Sequence, residues 1–394
     1  NRAKKNNRQD DWERYKEIRK QIHKTTRKAY RNYVNDKCMD SSKQFWSFIR
    51  TLRKDSSGIP ALRNRETGEL VTDSKQKAEL LNNEYQRQFT QERLSDLPEE
   101  DESEIPSMPD IVITEEGVIK MLKNLNPHKA VGPDEISPWV LRNTAEEIGG
   151  ALTILFQLSL DTGIIPEDWL CANITPIYKK GDKTQPSNYR SVNLTSVCSK
   201  LMEHILQSNI MDHLDVHSIL SELQHGFRKR HSCETQLLSV INDIAVDLDH
   251  RQQVDAIIMD FQKAFDKVPH RRLLLKLRRY GIRGKILKWI EGFLTHRKQR
   301  VVIEGEYSNW VKVDSSVPQG TVLGPLAFLL FINDLPEGVK STCRLFADDC
   351  ILYSKVSGPE DANRLQNDLD KLSAWQDKWQ LGFNAQKCHV MRIT

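Results

Sequence analysis

Two adjacent aspartates, Asp348 and Asp349, lie between two short apolar runs in the segment CRLFADDCILYSK (343–355). Adjacent carboxylates repel each other, and burying them costs several kcal/mol each unless a positive group compensates. The runs RLF and CILY on either side predict two strands joined by a tight bend that carries both carboxylates. The pattern indicates either a cation-binding site or ordinary caps and surface salt bridges.

A third carboxylate, Asp260, ends the apolar run 256–259, which predicts a buried strand. If this strand lies beside the bend at Asp348 and Asp349, three carboxylates converge and cannot all stay ionised without cations. Mg²⁺ is a hard ion that takes oxygen ligands, and two such ions roughly 3.5–4 Å apart stabilise both reacting oxygens in phosphoryl transfer. The three aspartates therefore favour a two-metal phosphoryl-transfer site.

The elements that must position these carboxylates are helices and strands interleaved irregularly, which favours an α+β fold with a sheet covered by helices on one side. Apolar periodicity and caps predict helices at 9–35, 41–53, 73–89 (capped by Asp73 or Ser74), 113–125 (capped by Thr114), 138–166, 199–214, 271–281, 284–297, 324–336 and 360–381. Strands are predicted at 172–183 and at the start of 254–268, and hairpins at 54–74 and 299–317. The acidic, proline-containing residues 91–110 are predicted to form a linker or long loop.

The net charge of +4 is unevenly distributed. Residues 1–54 hold 17 Lys and Arg against 6 Asp and Glu, residues 271–300 hold 11 against one, and residues 92–116 hold one base against ten acids. Such segregation indicates either a polyanionic partner for the basic segments or solvated helix faces.

Composition argues against several other classes of protein. No stretch approaches the roughly 18–20 apolar residues of a membrane helix, and no secretory signal is visible. The seven cysteines form no C-x-x-C pair and the eleven histidines show no metal-finger spacing, which argues against a disulfide framework or zinc site and favours a reducing intracellular setting. The chain begins without Met, and we expect it to be a piece of a longer protein.

Several motifs, in order along the chain, resemble those of reverse transcriptases, and in detail those of non-LTR (LINE-type) retrotransposons. Three segments resemble catalytic-core motifs: DFQKAFDKV (260–268), SVPQGTVLGPLAFLLFINDLP (316–336) and FADD (346–349). Three more segments resemble fingers motifs: ITPIYKKGDKTQPSNYRSVNLTSVCSK (174–200), LQHGFRKRHSCETQL (223–237) and NPHKAVGPDEIS (126–137). The segment FNAQKCHVM (383–391) resembles the palm motif that follows the catalytic core. The resemblance covers residues 111–394 strongly and 54–90 weakly.

The resemblance implies a right-hand polymerase, with fingers and an antiparallel palm sheet that has helices on one face, preceded by basic N-terminal helices. Asp260 and Asp348 would be the main metal ligands and Asp349 the third carboxylate. The backbone carbonyl of Phe261 would complete one metal shell. The cofactor would be two Mg²⁺ ions, for which Mn²⁺ can substitute. Lys387 would donate a proton to the pyrophosphate leaving group.

The resemblance also implies residues that bind substrates. Phe265 matches a steric gate, whose ring clashes with a 2′-OH and so selects deoxynucleotides; ordinary core packing is the alternative. Gln319 and Gly320 would lie on the nascent base pair, where a small residue permits close approach. Three basic residues of the fingers would hold the incoming dNTP: Lys179, Lys180 and Arg190. For Lys180, ordinary surface charge is the alternative. The residues implied for nucleic-acid binding are Lys129, Gly132, Arg228 and Lys229.

One departure from the family pattern lies beside Arg190. Where the family has Y-R-P-I-S-L, this chain has YRSVNL, with Ser191 and Asn193, and loss of the proline loosens the bend that aims Arg190.

The predicted divisions of the chain are a basic helical segment at 1–54, a hairpin, helix and acidic linker at 55–110, and fingers and palm at 111–394. The chain is expected to stop before the family's thumb and to lack its N-terminal endonuclease.

The predicted function is that of an RNA-directed DNA polymerase of a LINE-type mobile element, which transfers a nucleotide from a dNTP to a primer 3′-OH. The implied partners are an RNA template, a DNA primer and dNTP, with no membrane, and the expected location is the nucleus, the cytoplasm or both. Two alternatives stay open: an RNA-dependent RNA polymerase, against which Phe265 and FADD argue, and an inactive retrotransposon relic that only binds RNA. The sequence predicts no oligomeric state.

Overall fold

The computed structural model describes residues 9–40, 58–99 and 103–394, and its contacts divide the chain into the units Asn1–Ile59 and Pro60–Thr394. Within the first unit, the described residues form one helix, α1 (Gln9–Asp40). It contains no Pro or Gly and is rich in strong helix formers, and it continues past the predicted end at residue 35. The helix predicted at 41–53 lies outside the described residues.

The second unit contains both helices and strands, so the predicted α+β class is confirmed. Its helices are α2 (Ser74–Gln86), α3 (Glu115–Lys123), α4 (Pro138–Asn143), α5 (Ala145–Thr162), α6 (Glu167–Leu170), α7 (Val197–Val216), α8 (Cys233–Asp249), α9 (Ala264–Lys267), α10 (His270–Arg279), α11 (Gly284–Thr295), α12 (Leu323–Ile332) and α13 (Pro359–Trp379). Its strands are β1 (Leu62–Arg63), β2 (Leu70–Val71), β3 (Cys171–Tyr178), β4 (Tyr189–Leu194), β5 (Gln253–Asp260), β6 (Lys298–Ile303), β7 (Glu306–Tyr307), β8 (Val311–Lys312), β9 (Thr342–Phe346), β10 (Asp349–Val356) and β11 (His389–Ile393).

Helix starts follow the caps in the sequence. The Asp73 side chain accepts from the Gln76 N–H at 2.9 Å at the start of α2, and Thr114 caps α3 as predicted. Helix α8 was not predicted, although Ser232 and Thr235 form a capping box at its start. Among the described residues, no helix is both long and apolar enough to cross a membrane.

A four-stranded antiparallel sheet, which we call the central sheet, has the strand order β11-β5-β10-β9. Successive residues of a strand point to opposite faces. On β5, Ile257 and Met259 belong to the main core, whereas Val254 and Ala256 pack with Val240 of α8. The prediction of helices on one face only is therefore wrong, because α8 covers part of the second face.

A second sheet of five strands has the order β4-β3-β6-β7, with β8 also pairing with β6. Strand β6 forms the predicted hairpin contacts with β7 and β8, but it also lies parallel to β3. The partners in this parallel pair, Cys171 and Lys298 at one end, are far apart in the sequence, so the local pattern could not show it.

Candidate active site

Strands β5 and β10 bring two of the three carboxylates together. Asp260, the last residue of β5, is the register partner of Asp349, the first residue of β10. Asp349 also pairs with Phe346 across the β9–β10 hairpin, which leaves Ala347 and Asp348 in the turn. Ala347 has a φ of +52°, a left-handed conformation that residues other than glycine adopt rarely. The predicted pairing of the two strands is confirmed, with Asp260 opposite Asp349 and Asp348 in the adjoining turn, whereas the catalytic role of the three aspartates stays a prediction.

Asp349 binds a proton more tightly than an ordinary aspartate does. Burial raises the pKa of Asp349 above its ordinary value, and the charges of Asp348 and Asp260 raise it further, while Lys387 and Lys179 act in the opposite direction. A site that resists the ionisation of its own carboxylate favours a bound cation.

Lys387 reaches this site because the chain after α13 folds back along β5. The Asn384 N–H donates to the Asp260 carbonyl oxygen at 2.7 Å, and the rings of Phe261 and Phe383 stack with centroids 4.4 Å apart. The short 3-10 helix that follows (Ala385–Lys387) places the Lys387 ammonium against the Asp260 carboxylate.

The backbone at Phe261 leaves its carbonyl free of this strand pairing. The Gln262 N–H donates to the Gly382 carbonyl oxygen at 2.9 Å, and the Asn384 N–H donates to Asp260. These two bonds flank Phe261, whose own N–H and carbonyl point away from residue 383.

The donor chemistry of the site fits a hard divalent cation, because carboxylate and carbonyl oxygens are the ligands that such ions prefer. Across the described ranges, no three His, Cys, Asp or Glu side chains are set out to hold a metal ion as they stand. Asp260 is instead neutralised by Lys387. Reverse transcriptases, whose motifs this chain resembles, generally use divalent metal ions.

Three cations on different elements lie in the region of Lys179 and Asp260. Lys179 follows β3, where its N–H donates to the Asn188 carbonyl oxygen at 2.9 Å, and Arg190 lies on the neighbouring β4. Burial lowers the pKa of Lys179, and the charges of Arg190 and Lys387 lower it further, whereas Asp260 raises it. This mutual influence means that the three cations share one region with Asp260. Lys180, two residues past the end of β3, is exposed.

Phe265 is half-buried and lies between two other rings. It stacks on Phe328 of α12 with centroids 4.6 Å apart and meets the edge of Phe227 at 6.2 Å. Its carbonyl oxygen accepts from the Val317 N–H at 2.8 Å. The ring is therefore held in place by aromatic packing, which supports its core interpretation.

Gln319 and Gly320 lie in a loop that is bonded to strand β4. The Asn193 N–H and side-chain amide both donate to the Gln319 carbonyl oxygen, at 2.8 and 2.9 Å. Gly320 has a φ of +100°, and a Cβ there would lie 2.7 Å from the Asn193 carbonyl oxygen. Asn193 thus joins β4 to this loop through two hydrogen bonds. The residue that departs from the family pattern here makes one of them with its side chain.

The residues implied for nucleic-acid binding are dispersed. Lys129 is exposed, whereas Gly132 packs so closely on the start of α7 that a Cβ would lie 2.7 Å from Thr195 and Ser196 backbone atoms. Arg228 donates to the Ser221 carbonyl oxygen at 2.7 Å and pairs with Glu222 at 3.1 Å. Its neighbour Lys229 is exposed. Among the described residues, no hydrogen bond or ion pair joins these four residues to the three aspartates, and their binding role stays a prediction.

Sequence reasoning assigned no role to two residues near the site. Lys263, inside the motif DFQKAFDKV, has a φ of +51° and directs its ammonium towards the Ser187 carbonyl oxygen at 3.4 Å. Gln224 contacts the backbone of the turn at Ala347. The position of Lys263, three residues after Asp260, could have indicated that this lysine lies near the site. The sequence around Gln224 contains no comparable indication of its contact with Ala347.

Comparison with known proteins identifies a family match. The family model described as reverse transcriptase (RNA-dependent DNA polymerase) matches residues 177–393, which include all three aspartates, Lys179 and Lys387. The predicted resemblance is therefore confirmed by a match that covers more than half of the chain.

Curated relatives agree with this match. The probable RNA-directed DNA polymerase from transposon BS of Drosophila melanogaster is 28% identical over 413 residues, covering 96% of this chain and 44% of the relative. The RNA-directed DNA polymerase from mobile element jockey of the same organism is 28% identical, with 87% and 39% covered. The corresponding probable polymerase from transposon X-element is 28% identical, with 70% and 31% covered. The chain thus spans less than half the length of these relatives.

Proposed function

This chain belongs to the reverse transcriptase (RNA-dependent DNA polymerase) family, in its LINE type, and on that premise we propose that it extends a DNA primer on an RNA template. The reaction is attack of the primer 3′-OH on the α-phosphate of a dNTP, with release of pyrophosphate. The observation that carries the proposal is the register that places Asp260 opposite Asp349, with Asp348 in the adjoining turn.

Asp260, Asp348, Asp349 and the Phe261 carbonyl would hold two Mg²⁺ ions, which when bound supply electrostatic stabilisation of the reacting oxygens. The raised pKa of Asp349 supports this assignment, because it results from burial and then from the neighbouring charges of Asp348 and Asp260, which a bound cation would offset. When the site is loaded, Asp260 would exchange its contact with Lys387 for a contact with the cation.

The surrounding cations would bind the triphosphate. Lys179, which senses the charges of Asp260 and Arg190, and Arg190 of strand β4 would contact it, because an ammonium and a guanidinium neutralise phosphate oxygens. Lys180, being exposed, would act at the entrance. Lys387 would donate a proton to the departing pyrophosphate, since it is already held beside Asp260.

Selection of the sugar and base would use Phe265 and the loop bearing Gln319 and Gly320. Phe265 is fixed by Phe328 and Phe227, so a 2′-OH on the incoming sugar would meet a ring that cannot move aside. The close approach of Gly320 to Asn193 aligns the loop with β4, which carries Arg190.

In the right-hand description, the central sheet is the palm and the second sheet belongs to the fingers. The Pro-Gly loop containing Lys129 and Gly132 and the segment containing Arg228 and Lys229 would contact the template or primer. Helix α1 would bind RNA phosphates through its basic residues. We propose a reducing compartment, nucleus or cytoplasm, because the six cysteines of the second unit are free, including Cys343 and Cys350 with sulfurs 3.6 Å apart.

The test is primer extension on poly(A) with oligo(dT) and Mg²⁺, supplying either dTTP or UTP. We expect incorporation of dTTP and little incorporation of UTP. Preferential incorporation of UTP would favour an RNA-dependent RNA polymerase instead. RNA binding without incorporation of either nucleotide would favour the inactive relic.

A further inference from the structure

We propose that Gln224 is a positioning residue for the aspartate turn: its side-chain amide fixes the backbone of Ala347 and thereby the placement of Asp348 and Asp349. The inference rests on the proposed polymerase function for its catalytic consequence. Gln224 is 2% exposed, it lies outside the set of residues that would touch substrate, and its effect on the aspartates would pass through the backbone of Ala347.

Three hydrogen bonds join this side chain to backbone groups. The Gln224 Oε1 atom accepts from the Ala347 N–H at 2.9 Å and from the Gly226 N–H at 2.6 Å. The Gln224 Nε2 group donates to the Ala347 carbonyl oxygen at 3.4 Å. One planar amide therefore contacts both the donor and the acceptor of the residue that immediately precedes Asp348.

The contact is made at the residue with unfavourable backbone geometry. Ala347 has a φ of +52° and is 7% exposed, so water has little access to its peptide groups. A left-handed alanine persists where its surroundings hold it, and an unsatisfied buried peptide group costs free energy. Gln224 supplies partners for both groups and so stabilises this conformation over alternatives that would move Asp348.

The segment that carries Gln224 is itself anchored to the hairpin. The Leu345 N–H donates to the Leu223 carbonyl oxygen at 2.8 Å, and the His225 N–H donates to the Leu345 carbonyl oxygen at 2.9 Å. At Gly226 the two backbones are so close that a Cβ would lie 2.2 Å from the Ala347 nitrogen. The turn is thus supported from outside the hairpin by a distant segment of the chain, since Gln224 lies 123 positions before Ala347.

Methionine tests the proposal because Gln224→Met keeps the length and approximate volume of the side chain but removes all three hydrogen bonds. We expect kcat for single-nucleotide addition to fall roughly ten- to hundredfold, since small misplacement of a catalytic group has effects of this size. The dissociation constant for primer-template and the KM for dNTP should change by less than about twofold, because neither ligand touches Gln224. A general loss of structure would instead change all three.

Binding of Mn²⁺ to the chain alone, measured by electron paramagnetic resonance of the free ion, provides a readout that does not require catalysis. We expect Gln224→Met to weaken this binding several-fold. If the wild-type chain binds Mn²⁺ but fails to extend primers, the proposed function fails, while the Mn²⁺ comparison still decides whether Gln224 positions the carboxylates.

The matched control is Gln299→Met, which makes the same change at a glutamine that is 5% exposed in the second sheet and should leave kcat and Mn²⁺ affinity unchanged. If Gln224→Met does not fold, Gly226→Ala tests the same turn, because its Cβ would press on the Ala347 nitrogen. This variant should reproduce the fall in kcat. A folded Gln224→Met protein with kcat and Mn²⁺ affinity within twofold of wild type would overturn the proposal, as would equal losses in Gln299→Met.

Discussion

At the scale of single residues, the site depends on charges and rings that are held by specific neighbours. Asp260 is opposite Asp349 and is neutralised by Lys387, while Phe265 is fixed between Phe328 and Phe227. Each of these residues therefore has a contact whose removal should change one step of the proposed reaction without dismantling the fold.

The ring of Phe265 should control the choice of sugar. Phe265→Ala removes the group that would clash with a 2′-OH, so the ratio of ribonucleotide to deoxynucleotide kcat/KM should rise roughly tenfold or more. Phe265→Tyr keeps the ring and should retain wild-type discrimination. Single-nucleotide addition with dNTP and NTP in parallel measures both ratios, and an unchanged ratio in Phe265→Ala would return this residue to an ordinary core role.

Asp266, next to Phe265, should make the stability of the fold depend on pH. Burial raises its pKa to about 6, with the Ser191 hydroxyl 3.5 Å from its Oδ1. The folded state binds this proton more tightly than the unfolded chain, so the benefit is complete below about pH 4 and is lost as the pH rises through about 6. Above that pH, the folded protein carries an ionised carboxylate with poor solvation.

Asp266→Asn removes this ionisation and should therefore stabilise the protein at pH 8, by up to about 3 kcal/mol for a shift of two pKa units. The gain should shrink as the pH falls to 5, where wild-type Asp266 is largely protonated in the folded state. Thermal unfolding of both proteins at pH 5, 6.5 and 8 measures the difference. An equal change in Tm at all three values would contradict the assigned pKa.

At the scale of elements, strand β4 and the loop at 317–324 act as one unit. Asn193 binds the Gln319 carbonyl oxygen twice, and the Phe265 carbonyl oxygen accepts from the Val317 N–H. The strand that carries Arg190 is thereby linked to the loop and to the ring expected to select the sugar.

Gly320 should be essential to that linkage. Gly320→Ala places a Cβ 2.7 Å from the Asn193 carbonyl oxygen at a φ of +100°, so it should raise the KM for dNTP several-fold and lower Tm. Gly305→Ala is the control, because Gly305 has a φ of +86° and a Cβ there would meet no atom within 4 Å, which leaves only the conformational penalty of about 1 kcal/mol. Equal effects of the two substitutions would show that the approach to Asn193 is unimportant.

Local patterns predicted the elements that hold the aspartates, because the apolar runs around Asp260 and Asp348 alternate with clear turn signals. They could not predict Gln224, whose partners are backbone groups 123 positions away. They also missed the parallel pairing of β3 with β6 and the second face of the central sheet, since both depend on which distant segments pack together. Side-chain type indicates chemistry, whereas these contacts depend on main-chain geometry that has no local sequence signal.

At the scale of the whole molecule, the second unit neutralises much of its own segregated charge. Glu92 accepts from the Arg272 N–H at 2.9 Å and pairs with its buried guanidinium at 3.3 Å, and Asp110 lies 3.4 Å from Lys285. Arg283 donates to backbone carbonyls of the same acidic segment. The basic residues at 271–300 are thus partly explained by intramolecular pairing. The case for a polyanionic partner is stronger for α1, where Tyr15 and Ile18 are exposed beside the helix's cations.

Deleting residues 1–54 should therefore weaken RNA binding and flatten its salt dependence, because each phosphate neutralised by a cation releases condensed counterions. Single-nucleotide addition at saturating primer-template should persist, since the aspartates lie in the other unit. Lys285→Gln is the control: this lysine pairs with Asp161 at 2.8 Å and should leave the slope unchanged. Fluorescence anisotropy across a salt series measures the slopes, and an unchanged slope after the deletion would contradict RNA binding by this segment.

The central claim, that the three aspartates form the catalytic centre of a polymerase, is tested most directly by primer extension with Asp348→Asn, which removes one charge and keeps the side-chain shape. Extension of oligo(dT) on poly(A) should fall at least about hundredfold, with primer-template affinity by anisotropy unchanged. Asp370→Asn, at an exposed aspartate of α13, should extend like wild type. Near wild-type extension by Asp348→Asn would contradict the account.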